Sequence, residues 1–257
     1  MKAREQLIAL LTIMIKEVTR FTRIWQQTLL PPVIMTSLYF IIFGNLIGPR
    51  IGQMEGFNYI DFIVPGLILM AVITNCYSNV VTSFFGAKFQ HSLEEILVSP
   101  TPNYVILLGY ISGGVARGII VALVVTLVSI FFSELRVHDP WVLASVVILT
   151  AVLFSLGGFT NGIFAQGFDD VSIVPTFVLT PLTYLGGIFY SIRLLPEFWQ
   201  AVSLGNPILY MINAFRYGFL GISDISLWLS YLIIGVFITV LFAINLYLLH
   251  RGYGIRQ

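Results

Sequence analysis

FIVPGLILMAVITNCYSNVVTSFFGA runs from Phe62 to Ala87 without a single charged side chain. At about 1.5 Å per residue, an α-helix of roughly 20 such residues crosses the ~30 Å hydrocarbon core of a bilayer. The run is uncharged and apolar in consecutive blocks, whereas a transmembrane barrel strand alternates apolar and polar positions over about ten residues. The stretch therefore reads as a membrane-spanning helix. Working outward, charge-poor windows of the same kind recur along the chain and predict spans at 26–48, 62–86, 110–132, 141–165, 172–191 and 226–249. The composition agrees: 58% of residues are hydrophobic and 10% are charged, against about 25% charged in a soluble domain. The expected fold class is an all-α integral membrane protein of one domain with six transmembrane helices and no sheet. A net charge of +1 offers no field for nucleic acid. The lone Cys76, inside an apolar run, reads as a small packing residue.

The N-terminal stretch lacks the basic, apolar and small-residue order of a leader. Instead Leu7, Leu11, Met14, Val18, Phe21 and Trp25 share one helical stripe, with Thr12, Lys16, Thr19 and Arg23 opposite. Residues 1–25 are thus expected to form an amphipathic helix in the membrane interface. Six spans place both termini on one side. The positive-inside rule then compares Lys2, Arg4, Lys16, Arg20, Arg23, Lys88, Arg251 and Arg256 with Arg50, Arg136, Arg193 and Arg216, eight against four. The balance predicts cytoplasmic termini; the loop at Asp169 and Asp170 adds no cation to either count.

Two loops are unusual. The chain from Phe85 to Pro102, FGAKFQHSLEEILVSPTP, is longer than a turn between spans requires. Ser92 followed by Glu95 is a capping-box pattern, and Pro100 and Pro102 stop a helix. On a helical wheel Phe89, Leu93, Ile96 and Leu97 fall on one side, and Lys88, His91, Glu94 and Glu95 on the other. A short amphipathic cytoplasmic helix over 88–98 is expected, suited to docking a partner. The second loop, 195–217, is apolar but broken at Gly205, Asn206 and Pro207. Two short re-entrant helices fit it; a seventh span would carry Arg251 and Arg256 to the far side, against the cation balance.

The chemistry that is missing narrows the function. There is no phosphate-binding G-x-x-x-x-G-K-[ST], no G-x-S-x-G elbow, and no metal spacing among His91, His138 and His250. Asp and Glu fall at the boundaries and loops of the expected spans, so ion-coupled transport by this chain alone has no support. Arg117 alone interrupts a span. Two readings stay open for it: snorkelling near the cytoplasmic rim, or an inward pair with Asp169, Asp170 or Glu94. Pro175, Pro181, Gly186 and Gly187 read equally as a moving gate or dimer wall and as ordinary helix packing.

Several of these elements coincide with one family. Pro175 and Pro181, Gly186-Gly187 before an aromatic residue, Leu195-Pro196 with Trp199, Asn206-Pro207 and Arg216, together with Glu94-Glu95 and Pro100 in the earlier loop, make the chain resemble the ABC-2 type membrane permeases over nearly its whole length. It is most similar to compact proteobacterial inner-membrane permeases encoded apart from their ATPase. The resemblance implies a homodimer that binds two copies of an ATP-binding subunit. ATP and magnesium are held there, and no cofactor is held in this chain. It implies that the N-terminal helix, with Lys16 and Arg20, and the loop helix, with Lys88, Phe89, His91, Leu93, Glu94 and Glu95, contact that subunit. Trp199, Asn206, Pro207 and Arg216 would cap the outer face, and substrate would leave along spans one, two and five. Polysaccharides, lipid-linked glycans and hydrophobic drugs are the substrates implied. The alternative function is an ATP-independent carrier, channel or scaffold.

Overall fold

The computed structural model describes residues 2–254. Met1 of the expected interface helix and Arg256 of the cation count lie outside the described residues, as does the Leu97 side chain. The helices follow in order: α1 (Ala3–Arg23), α2 (Trp25–Tyr39), a π-helical stretch (Phe40–Ile47), α3 (Gly48–Ile51), α4 (Tyr59–Phe89), α5 (Ser92–Val98), α6 (Asn103–Ser129) and α7 (Pro140–Phe164). Then come α8 (Phe168–Val174), a second π stretch (Pro175–Leu179), α9 (Thr180–Leu185), α10 (Glu197–Leu204), α11 (Pro207–Leu220) and α12 (Leu227–Arg251). The all-α class holds, with one small exception. Gln53–Met54 pairs antiparallel with Phe57–Asn58 around Glu55 and Gly56, both at positive φ, the geometry a two-residue hairpin turn demands.

Among the described residues, five helices are long and apolar enough to cross a membrane: Trp25–Ile51, Tyr59–Phe89, Asn103–Ser129, Pro140–Phe164 and Leu227–Arg251. The stretch expected as a fifth span, 172–191, is not among them. It begins earlier, at Phe168, and stops at Leu185, because Gly187 takes φ +78° and turns the chain away. Its interior is irregular for a local reason. Pro181 has no N–H to give the Phe177 carbonyl, and the Thr180 amide reaches back five residues to the Pro175 carbonyl. The third span also differs: α6 runs unbroken from Asn103 rather than from 110, and its first turns pack on α1.

The core is organised around α4, which packs against α6 and α7. The apolar window of α4 is 72% buried, while those of Trp25–Ile51 and Leu227–Arg251 are 17% and 22% buried, so the latter two keep broad apolar faces free. Close approach rests on small residues. Gly109 and Gly113 form one stripe on α6, where an added Cβ would stand 2.5 Å from Ile13 Cγ2 and 2.5 Å from Glu17 Cβ. Gly114 and Gly118 form a second stripe, against Ser155 of α7 and Cys76 of α4. These are two interleaved small-xxx-small faces on one helix. Helix ends are fixed locally: Asp139 caps α7 by accepting from the Trp141 and Val142 amides, with Pro140 in the first turn.

Candidate functional site

Three regions carry the sequence-derived candidates. The first lies at the end of the bundle where α4 ends and α6 begins. The expected helix over 88–98 is shorter than its sequence signals imply. Lys88 and Phe89 complete α4, His91 takes φ 58°, and only Ser92–Val98 forms α5. The capping box does not form. The Ser92 hydroxyl turns back to donate to the Ala87 carbonyl at 3.2 Å, because the left-handed His91 aims it at the preceding helix. Leu93 is buried against the bundle, whereas Glu94 and Glu95 are exposed and His91 Nδ1 meets Glu94 at 2.9 Å. Lys88 is not a free docking cation. Its Nζ donates to the Ile163 and Ala165 carbonyls at 2.9 and 2.8 Å, capping the C-terminal end of α7. Phe89 stays largely exposed beside Phe168, ring centroids 5.1 Å apart.

The second region joins α1 to the bundle, and its key residue is one that the helical wheel did not mark. Glu17 is fully buried. It accepts from the Ser83 hydroxyl at 2.8 Å and pairs with Arg20 Nη2 at 3.3 Å. Arg20 in turn donates to the Asn79 carbonyl and side-chain oxygen, both at 2.9 Å. Arg20 therefore points into the bundle rather than toward headgroups or a partner. Lys16 lies over the Tyr110 ring at 5.6 Å. Leu7, Leu11 and Met14 of the apolar stripe remain exposed, but Ile13, Glu17 and Phe21 form the buried face. The physical reason is the Gly109–Gly113 stripe, which lets α1 sit close to α6. That stripe was the available signal: two glycines four residues apart in a span ask what fills the space above them.

Further along the same face, Arg117 Nη2 donates to Asn75 Oδ1 at 2.7 Å. It pairs with none of Asp169, Asp170 and Glu94, the carboxylates expected for an inward pair. Arg117 Nε is buried with no hydrogen-bond partner among the described residues. The guanidinium borders a groove of about 270 Å³ between α2, α4 and α6.

The third region is at the opposite end. Asn206 caps α11 by accepting from the Ile208 amide, with Pro207 in the first turn, and its Nδ2 donates to the Leu182 carbonyl at 2.6 Å. The turn between α10 and α11 is thereby tied to α9. The base of the pair closes elsewhere: the Ser191 hydroxyl donates to Asp224 at 3.0 Å, and Arg193 Nε meets Asp224 at 3.2 Å. The chain before α10 and the chain after α11 thus meet at Asp224. Gly186 and Gly187 end α9 instead of lying within a span. An added Cβ at Gly186 would collide with Ile208. The Gly187 carbonyl accepts from Arg216 Nη2 at 2.6 Å, and Arg216, 2% exposed, also lies 3.9 Å over the Phe62 ring. Trp199 is exposed beside Phe198. Pro175 and Pro181 flank the irregular turn between α8 and α9.

Comparison with known proteins converges on one family. The model of the ABC-2 type transporter family matches residues 8–220. The inner membrane transport permease YadH of Escherichia coli (strain K12) is 60% identical over 97% of this chain and 98% of its own length. Nodulation protein J of Rhizobium leguminosarum bv. viciae is 22% identical over 83% of each chain, and that of Sinorhizobium fredii is 22% identical over 71% of this chain and 69% of its own.

Proposed function

This chain belongs to the ABC-2 type transporter family, and from that premise we propose that it is the membrane-spanning subunit of an ATP-driven exporter. In this reading two copies of the chain pair in the bacterial inner membrane, termini in the cytoplasm, and bind two copies of an ATP-binding subunit. ATP and magnesium are held by that partner; this chain performs no catalysis. Its substrate is hydrophobic or lipid-linked, a polysaccharide, glycolipid or drug.

The observation that carries the reading is α5. A seven-residue helix between two long spans keeps Leu93 buried in the bundle and turns Glu94 and Glu95 outward, next to the exposed Phe89 and Val98. A carboxylate pair beside apolar side chains supports a protein partner with complementary cations. Movement of that partner would act on Leu93, and through it on α4, which runs 31 residues to the opposite end. There Gly66 of α4 sits against Ile188, so the two ends are mechanically joined. The exporter reading makes α10 and α11, with Trp199, Asn206, Pro207 and Arg216, a re-entrant cap on the outer face. The irregular helix from Phe168, with Pro175 and Pro181, is then the fifth crossing in chain order, bringing the total to six, and part of the path wall.

Reconstitution with a cognate ATPase tests this. The wild-type chain retains the ATPase through purification, and substrate-dependent ATP hydrolysis is lost in the Glu94→Lys/Glu95→Lys double variant. Unchanged assembly and unchanged coupling in that variant, or transport into liposomes by this chain alone, would sink the reading.

A further inference from the structure

The groove beside Arg117 is graded along its length. At one end stand Gln27, Thr28, Thr74, Asn75 and Arg117; toward the other, Pro31, Met35, Leu67 and Met70 dominate the wall, with Thr36 and Tyr39 among them. From Thr28 to Tyr39 is eleven residues of helix, about 16 Å at 1.5 Å each. The polar end has one formal charge, and Thr28, Thr74 and Asn75 beside it are already engaged. Thr74 donates to the Met70 carbonyl, the Asn75 amide to the Ala71 carbonyl, and Asn75 Oδ1 accepts from Arg117. No carboxylate pairs with Arg117 among the described residues. A half-buried guanidinium with a buried N–H and no counter-ion, at the mouth of an apolar slot, is incomplete as a packing arrangement, because a charge removed from water requires compensation.

We propose that this groove binds the exported cargo as a single-chain anionic amphiphile, its phosphate- or carboxylate-bearing head on Arg117 and its tail along α2 and α4. The claim rests on the exporter reading for the word cargo and on the groove for the ligand's chemistry. An anion completes the guanidinium with charge-assisted hydrogen bonds, which a neutral or zwitterionic head supplies less well. The apolar wall rejects a free anion, since inorganic phosphate leaves it uncovered. Arg117 is a specificity-determining residue here, and Asn75 positions it.

Full-length chain carrying Cys76→Ala and Met35→Cys, in nanodiscs of zwitterionic phosphatidylcholine, gives a direct readout. Met35 is 56% exposed on the groove wall, so a membrane-permeant maleimide, applied at about pH 8.5 where thiolate is populated, labels position 35 unless the groove is filled. Dodecyl phosphate should protect it saturably, while dodecyl maltoside and inorganic phosphate should not. Arg117→Gln should raise the half-protecting concentration about tenfold or more, the loss expected for one charge-assisted hydrogen bond, and Arg117→Lys should recover most of it. Asn75→Asp, which gives Arg117 an internal carboxylate, should weaken protection comparably while leaving the arginine in place. A reporter at the exposed Leu127, outside the groove, should be unprotected throughout. Equal protection by neutral dodecyl maltoside, or no change in Arg117→Gln, overturns the proposal. So does protection by phosphatidylglycerol nanodiscs alone, which would make the groove a lipid site, or a position 35 that never labels because a second copy covers it. No ATPase takes part, so failure to capture a partner sinks the exporter reading and leaves this result standing.

Discussion

Removing Arg20 should unmake more than an ion pair. Glu17 is fully buried and Arg20 is 31% exposed, so the two charges are unequally desolvated. Breaking a buried pair by deleting one partner costs about 3–5 kcal/mol, because the other charge is left uncompensated. The N–O separations of 3.3 and 3.4 Å are long, which places Arg20→Ala at the lower end, about 3 kcal/mol. Glu17→Gln keeps an acceptor for Ser83 and leaves Arg20 held by Asn79, so about 1 kcal/mol is expected. The double variant removes both charges together and should lose only about 2 kcal/mol, giving a coupling energy near 2 kcal/mol. Equilibrium unfolding in mixed micelles, run on all four proteins, measures the cycle. A coupling below about 0.5 kcal/mol, the value for solvent-exposed pairs, would refute the inward-facing Arg20 and return α1 to a helix that merely rests at the interface.

Other substitutions probe separate joints. Gly109→Leu should drive α1 off α6 against Ile13, destabilising by about 2 kcal/mol and abolishing a disulfide engineered between α1 and α6 that forms in the parent. Lys88→Met removes the donor to the Ile163 and Ala165 carbonyls. It should lose about 1–2 kcal/mol and speed hydrogen exchange at the C-terminal end of α7 while leaving α11 unaffected. Asp139→Ala should lose about 1 kcal/mol through the α7 cap, and Asp139→Asn should restore most of it. Gly187→Ala places a Cβ at φ +78°; a loss of about 1 kcal/mol or more in thermal unfolding is expected.

What the sequence carried was local. Uncharged runs mark long helices directly, since few other elements hold 26 residues in a row without a charge, and Gly205-Asn206-Pro207 announces a break between two short helices without reference to distant chain. The fifth window misled because its end is set by the positive φ of Gly187, which composition does not register. Lys88 looked like a free cation because its acceptors are 75 and 77 residues away. Arg20 looked free for the same reason, and Glu17 went unmarked: the wheel of α1 shows which side is apolar, not that α6 offers Gly109 to Ile13 and Gly113 to Glu17. Only the small-xxx-small spacing at Gly109 and Gly113 encoded that contact, and it does so without naming its partner.

The α1–α6 contact also imposes an order on biosynthesis. Glu17 is seated above Gly113, 96 residues later in the chain. At about 5–20 residues per second, the ribosome delivers that seat some 5–20 s after Glu17 itself. Ser83 follows Glu17 by 66 residues and the covering glycine only by 96, so the carboxylate lacks its full seat until then and α1 must wait in water or among headgroups. It docks only once the third span has been released. An arrested nascent chain ending before Gly109 should therefore leave a cysteine at position 17 open to a water-soluble thiol reagent, and one extended well past Ser129 should close it.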